Sequence, residues 1–477
     1  MSTGKKKNRL LLVGTITYAI GSFGTKFLNF LIVPLYTYFI EPSDLGEYDL
    51  LVTTVSLLSP LITMRISDAA YRWIINNQEN EVPYISASYL LLLRNAIIYT
   101  LIIVGINHFI PIWNCYYFIA ILIGDRILEC LQKLLRGLKN QKLFAVSGIM
   151  HTAIMVGLNF IKVCVLGENV EALLQSSVIS IYITIAFLLI CEKRLRNVDF
   201  TLNHKQRQRE MLHYSIPLIP TALSWWIMST SDRYVIRWLI GSAANGIYSV
   251  VYKYPTVLTM LFTMFNYSWS DMALSEFKSE EQSEKYVKEL FQKLYTLAFE
   301  VVFVLIPVTK LFMEIVLSNS YKSAAIYVGF LYLGTLFHGF SAFFDIGYYQ
   351  GKQTKGAAKT SIFGAGVNFL VNVLLIRHIG LHAAAISTFL GYFTMWLLKI
   401  YDMKTIFYIK IDKKRFGTLL SVAILLAIVS IWTSVIIDTF FVVVSSGIFI
   451  IANKKYIKRI MEVLFTKIRN KKWPECK

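Results

Sequence analysis

Residues 214–253 read YSIPLIPTALSWWIMSTSDRYVIRWLIGSAANGIYSVVYK. From Tyr214 to Ile240 the stretch has the length and apolarity of a bilayer-crossing helix, which needs about 20 predominantly apolar residues. Yet MSTSDRYVIRWLI, from Met228 to Ile240, carries Asp232, Arg233 and Arg237 within it. A charge at bilayer depth costs about 2.5 to 3.5 kcal/mol on insertion scales, so each needs a partner on another helix or a water-filled cavity. Arg233 and Arg237 are four residues apart and share a helix face, whereas Asp232 and Arg233 are adjacent and cannot pair with each other. The spacing predicts a membrane helix that turns two cations one way and a carboxylate toward another helix.

The rest of the chain repeats this hydropathy. Of its 477 residues 56% are hydrophobic and 16% charged, and apolar runs recur at 10–40, 43–63, 86–108, 113–135, 143–166, 171–191, 214–240, 246–270, 291–317, 323–349, 358–376, 381–400, 416–434 and 437–453. Backbone groups in lipid must be satisfied locally, so these runs predict an all-α integral membrane protein of about 14 transmembrane helices. MSTGKKKNRL leads without a small-residue cleavage site into the first run, which predicts a retained first helix. That run exceeds the bilayer thickness and should tilt or kink, with Gly21 and Gly24 as its weak points. The five cysteines, Cys115, Cys130, Cys164, Cys191 and Cys476, lack metal-ligand or disulfide-framework spacing, and no metal or other cofactor is implied.

A net charge of +19 could suggest nucleic acid. Its distribution argues otherwise: with the N-terminus in the cytoplasm, only Lys322 and Arg377 fall in outside loops, while basic runs such as EKRLRN and DKKRF lie in cytoplasmic loops. Both termini are then cytoplasmic, and anionic membrane lipids are the nearer partner.

An internal repeat organises the helices. LGEYDL, with Gly46 and Tyr48, recurs as NGIYSV, with Gly246 and Tyr248, at an offset of 200. Lys142, Asn159, Gly167 and Ala172 correspond to Lys355, Asn372, Gly380 and Ala385 at an offset of 213. One six-helix unit therefore occurs twice in parallel orientation. The expected organisation is an N-terminal lobe over 1–200 (helices 1 to 6), a C-terminal lobe over 201–405 (helices 7 to 12), and helices 13 and 14 with a basic cytoplasmic tail over 406–477. Two pseudo-symmetric lobes imply a central cavity between them. Helices 13 and 14 read as uncharged within the membrane and as padding.

Charges within the spans point at that cavity. The basic candidates are Lys26, Arg65, Arg72, Arg94, Arg126, Arg233 and Lys253; several cations around one cavity would attract phosphate. Lys26 and Arg94 read as too deep to snorkel. In GDRILECLQKLLRG, residues 124–137, Asp125, Glu129, Gln132 and Arg136 form one polar stripe, and Glu129 with Lys133 makes a favourable i,i+4 pair. Asp125, Glu129, Glu300 and Asp345 are the candidate carriers of a coupling proton or cation, sodium included. Gln132, Asn159 and Asn372 are candidate partners for sugar hydroxyls or for neighbouring helices, and Trp225 and Trp226 could stack on sugar or fill the lobe interface. No GxxxxGK[ST] phosphate loop occurs, and the short outside loops leave little room for a catalytic site.

Three stretches together resemble the polysaccharide biosynthesis branch of the multidrug/oligosaccharidyl-lipid/polysaccharide (MOP) superfamily: PLYTYFIEPSDLGEYDL at 34–50, the opening stretch at 214–253, and GVNFLVNVLLIRHIGLHAAAIST at 366–388. The resemblance implies a bacterial flippase for O-antigen or capsule repeat units, a V-shaped protein that moves undecaprenyl-diphosphate-linked oligosaccharide to the outer leaflet by alternating access. Its implied setting is the cytoplasmic membrane, beside other polysaccharide assembly proteins. Helices 1, 2, 7 and 8 line the cavity in that superfamily, which singles out Lys26, Arg65, Arg72, Asp232, Arg233 and Lys253. The alternatives are a multidrug or organic-cation antiporter of the same superfamily, which calls for an acidic cavity, and a membrane polymerase or ligase.

Overall fold

The computed structural model of the chain describes residues 28, 30, 32–76, 81–199, 205–276, 280–350, 354–402, 411–454 and 458. Gly21, Gly24 and Lys26 lie outside them. The described residues are helical almost throughout. In the first half, α1 (32–39), α2 (Pro42–Thr63), α3 (Ile66–Asn76), α4 (Val82–Phe109), α5 (Cys115–Gly137), α6 (Gln141–Asn159) and α7 (Glu171–Cys191) follow one another. A short helix α8 (Lys205–Ser215) leads to α9 (Ile219–Thr230), α10 (Asp232–Leu239), α11 (Ser242–Lys253), α12 (Thr256–Glu276), α13 (Glu280–Val316), α14 (Val328–Gln350), α15 (Thr354–Ile379) and α16 (Leu381–Asp402). α17 (Lys413–Val429) and α18 (Val435–Ala452) complete the order.

Eight of the described helical segments are long and apolar enough to cross a membrane on their own. Some of the other apolar runs are divided between shorter helices. Met64 and Arg65 take left-handed backbone angles and separate α2 from α3. A turn at Ser231 divides α9 from α10, and Pro255, which has no backbone donor, sits between α11 and α12. Such breaks are tolerated at membrane depth where protein or a cavity surrounds them.

The buried apolar residues form two clusters. One runs from Leu51 to Met211 within the first half. The other joins Ile32–Leu45 and part of the α6–α7 region to residues 228–427. Rings tie its far end together: Trp396 stacks on Phe416 at 5.0 Å and Phe291 meets Phe344 at 5.1 Å. This fixes α17 against α13, α14 and α16.

The repeat reappears as geometry. A side chain on Gly46 would run into the carbonyl of Ser242, and one on Gly246 into the carbonyl of Pro42, so two positions 200 apart in sequence make the reciprocal contact. Only small residues let two helix backbones come this close. Gly167 and Gly380 match as well: both turn the chain with positive φ, 68° and 59°, the region that favours glycine. Several of the hydrogen bonds joining the halves lie around the α2–α11 crossing, at the end that the loop charges assign to the outside. Asn245 donates to the Gly46 carbonyl at 2.8 Å, Thr54 and Tyr234 share a bond of 2.6 Å, and Tyr321 donates to the Ile40 carbonyl at 3.0 Å.

The last two helices do more than pad. Helices 13 and 14 read as uncharged, yet Asp438, within the run 437–453, is 1% exposed and pairs with the fully buried Lys310 of α13 at 2.8 Å. Thr433 completes the cluster, accepting from Lys310 at its carbonyl and donating to Asp438 at 2.6 Å. A buried pair needs such extra hydrogen bonds to offset desolvation. At the other end of α18, Asn453 donates to Glu300 at 2.7 Å.

Candidate functional site

Just beyond the Gly46–Gly246 crossing, α2, α10 and α11 bring charges together. α2 supplies Glu47 and Asp49; α10 supplies Arg233 and Arg237, one turn apart on one face as their spacing predicts. Arg237 meets Glu47 at 2.6 Å and is partly exposed. Arg233 is 5% exposed. It donates to Asp49 at 3.3 Å and to the Ser229 carbonyl at 3.1 Å, and its guanidinium lies 4.1 Å from the centre of the Tyr252 ring. The ring face and the carboxylate hold the guanidinium from two sides.

Lys253, at the end of α11, brings a second cation. Its ammonium lies 5.5 Å from the centre of the Tyr36 ring on α1, and it makes no ion pair among the described residues. Lys253 thus adds a cation near the pair that Arg233 makes with Asp49 across the seam between the halves. A net positive site in which Asp49 is still about 20% exposed can take an anion by charge-assisted hydrogen bonds. Trp226 closes one flank of the seam, donating to Ser56 at 2.9 Å; Trp225 instead packs edge-on against His338 at 5.4 Å.

Asp232 is adjacent in sequence but not in direction. It is fully buried inside the second half. Its carboxylate accepts from Tyr248 of α11 at 3.0 Å, Asn372 of α15 at 3.1 Å and Thr388 of α16 at 2.8 Å. The expected partner on another helix exists three times over, each time neutral. Asn372 also keeps a buried carbonyl oxygen without a hydrogen bond.

The other residues singled out in the sequence sit elsewhere. Arg65 pairs with Asp68 at 2.7 Å, and Asp68 also takes Lys133 at 2.7 Å. Lys133 reaches Glu129 at 2.9 Å, Arg126 reaches Glu129 at 2.5 Å, and Arg126 also contacts Asp125 and Ser59. Three cations and three carboxylates therefore neutralise one another between α2, α3 and α5, and the polar stripe of α5 is mostly consumed by this network. Gln132 donates to Ser147 at 3.3 Å. Asp345 pairs with the buried Lys399 at 2.5 Å. Arg94 is exposed on a face of α4 shared with the exposed Leu93, Ile97 and Leu101. It stands little more than one turn from Tyr89, which donates to the carbonyl of Leu195 in the loop after α7. Arg94 therefore faces away from the protein interior rather than toward the seam between the halves. Arg72 lies on α3, its guanidinium 4.4 Å from the Tyr214 ring centre.

Sequence reasoning passed over Asp49, Glu47, Asp68 and Lys310. Asp49 was legible in one way: it belongs to the repeated LGEYDL, where the second copy has Ser249, so the two copies differ in charge at the site.

A family model described as "Polysaccharide biosynthesis protein" matches residues 11–269. No curated protein sequence matches the chain. Among solved structures, "Lipid II flippase MurJ, inward closed conformation" is similar at a TM-score of 0.61 and 12% identity, covering 93% of this chain and 100% of that one. A second, "Inward-facing conformation of a multidrug resistance MATE family transporter of the MOP superfamily", is similar at a TM-score of 0.60 and 14% identity, over 83% of this chain and 96% of that one. At such identities the likeness is one of fold: a multi-pass helical membrane fold of the MOP type.

Proposed function

Because the chain belongs to the polysaccharide biosynthesis protein family, we propose that it is a flippase for undecaprenyl-diphosphate-linked oligosaccharide repeat units. It carries them across the bacterial cytoplasmic membrane, from the cytoplasmic to the outer leaflet, for a surface polysaccharide such as O-antigen or capsule. The observation that carries this reading is the buried Arg233, paired with Asp49 across the seam between the halves, with Lys253 near it over the Tyr36 ring. A diphosphate crossing a bilayer needs fixed cations part-way, since an unpaired charge there is costly. The guanidinium is suited to oxyanions, and the ammonium beside Tyr36 adds a point charge. The lipid tail would stay in the bilayer while the head passes between the halves, which rock about the close crossing at Gly46 and Gly246.

Catalysis is not needed for this role; transport is what the family and the MOP-type fold support together. Fold alone does not separate a glycan exporter from a multidrug transporter, because structures of both kinds match about equally well. The family match and the cationic seam favour the anionic substrate.

The test is export of surface polysaccharide from cells carrying Arg233→Ala, Lys253→Ala or Lys26→Ala at unchanged protein level. A fall of about tenfold or more is expected for Arg233→Ala and Lys253→Ala, the loss of one charge-assisted contact. Wild-type export from both would remove the cationic path.

A further inference from the structure

A concavity stands away from the seam. It lies between α3 and α8 and measures about 1000 Å³, lined by Arg72 and Trp73 of α3, Gln206, Arg209, Glu210, His213 and Tyr214 of α8, and Pro217. α8 is amphipathic: Met211 and Ser215 are fully buried, while Gln206, Arg209, Glu210 and His213 stand exposed on the opposite side toward this space. Its position is fixed from two sides. Gln208 donates to the Ala87 carbonyl at 3.0 Å, and Ser215 to the Met64 carbonyl at 2.7 Å.

We propose that this concavity is a docking site for the glycosyl diphosphate head of the lipid-linked substrate before it passes between the halves. The inference rests on the flippase reading above. Its first support is location. α3 prolongs α2, and Pro217 opens the segment that becomes α9, so the concavity stands at the inner ends of two elements that face each other across the seam. With the inner end cytoplasmic, a head carried by the cytoplasmic leaflet arrives at this level.

The second support is chemistry. Trp73 and Tyr214 meet edge to face, ring centres 5.6 Å apart, and form an apolar wall. Aromatic walls take the apolar face of a pyranose while their polar edges stay wet. The Arg72 guanidinium is held over Tyr214 at 4.4 Å and lies 5.9 Å from the Trp73 ring centre, with no ion pair among the described residues. A guanidinium anchored on a ring keeps its N–H edge for a bidentate phosphate contact, and Arg209 adds a second cation across the space. Gln206 and Glu210, joined by a 3.4 Å bond, offer a donor and acceptors for sugar hydroxyls. A plain lipid-headgroup surface would need the arginines but not the aromatic wall, so the two ligand sources make different demands.

The test uses the full-length protein in phosphatidylcholine nanodiscs and two probes: a short-chain prenyl diphosphate bearing a disaccharide, and the same prenyl diphosphate without sugar. Trp73→Ala is expected to weaken the sugar-bearing probe about tenfold and to leave the bare diphosphate within about twofold. Arg72→Gln is expected to weaken both about tenfold, and Trp73→Phe to restore most sugar binding. Wild-type binding of both probes by Trp73→Ala and Arg72→Gln overturns the site. Equal weakening of the two probes by Trp73→Ala overturns its sugar-reading part. Loss of both probes when phosphatidylglycerol is added assigns the concavity to ordinary headgroups instead. If the unmodified protein binds neither probe, it is the flippase reading itself that falls.

Discussion

The two halves share a scaffold and differ in what they do with charge. In the first half Arg65, Arg126 and Lys133 meet Asp68, Asp125 and Glu129 in one continuous network, in which most members have more than one partner. In the second half the charges stand as separate clusters, Lys310 with Asp438 and Lys399 with Asp345, and Asp232 has only neutral donors. The repeat makes the contrast sharper. At the offset of 200 the counterpart of Asp232 is Ile32, which is 3% exposed. The equivalent asparagines still look the same way: Asn372 donates to Asp232, and Asn159 donates to Tyr36, one turn along from Ile32, at 2.6 Å. At these matched positions the asparagine contacts are alike, and only the second carries a carboxylate.

The largest effect expected from this difference is on stability. Lys310→Ala leaves Asp438 buried without its cation and should cost about 3–5 kcal/mol, as breaking a buried pair does. Lys133→Ala should cost well under half of that, since Glu129 retains Arg126 and Asp68 retains Arg65. Thermal unfolding of the two variants in detergent measures the gap. Equal losses would mean that the first-half network is no more redundant than the isolated pair.

The next effect is functional. Asp232→Asn keeps an acceptor for Tyr248 or Thr388 and removes only the charge, so stability should change by about 1 kcal/mol or less. If this carboxylate binds the proton or sodium ion that drives transport, export should fall at least about tenfold. Ile32→Val in the other half should leave export unchanged. Normal export by Asp232→Asn would reduce the asymmetry between the halves to a packing detail, and gradient coupling would then have to come from elsewhere. Asp125, Glu129 and Asp345 are poorer candidates, each being held by a cation.

How far this was legible in the sequence depends on the reach of each contact. Helices and repeat were legible because hydropathy and glycine spacing are local signals: Gly46, Gly246, Gly167 and Gly380 all sit where a close approach or a turn requires them. The seam cations Arg233 and Lys253 were legible because a charge in an apolar run is costly wherever it points. Direction was not legible. Nothing local distinguishes Asp232, turned into α15 and α16, from Arg233, turned to Asp49 about 180 residues away in sequence. The face a charge takes was not legible either. Arg94 sits mid-way along the 28-residue α4, yet it is exposed, while the first turns of α4 are wrapped by the loop after α7 and by α8.

The smallest effect concerns a carboxylate that is paired where Asp232 is not. Glu192 follows α7 at the rim of the first half and receives Arg194 through two bonds, 2.9 and 3.1 Å, together with the amide of Asn140 at 2.9 Å. The Arg194 hydrogen bonds above all, with Asn140 beside them, hold its carboxyl below the usual range against the burial that pushes it up. A carboxylate depressed on folding adds stability that is fully present above its unfolded pKa, about 4.3 for glutamate, and is lost as pH falls through the lower folded value. Arg194 is partly exposed, so solvent screening keeps the contribution under about 1 kcal/mol. Glu192→Gln should therefore lower the unfolding temperature slightly at neutral pH, and the difference from the unmodified protein should shrink as pH falls below about 4.3 and vanish once pH is below the lowered folded value. Were the difference to persist at that pH, the amide and packing around Asn140, rather than the charge, would be holding the end of α7 to the start of α6.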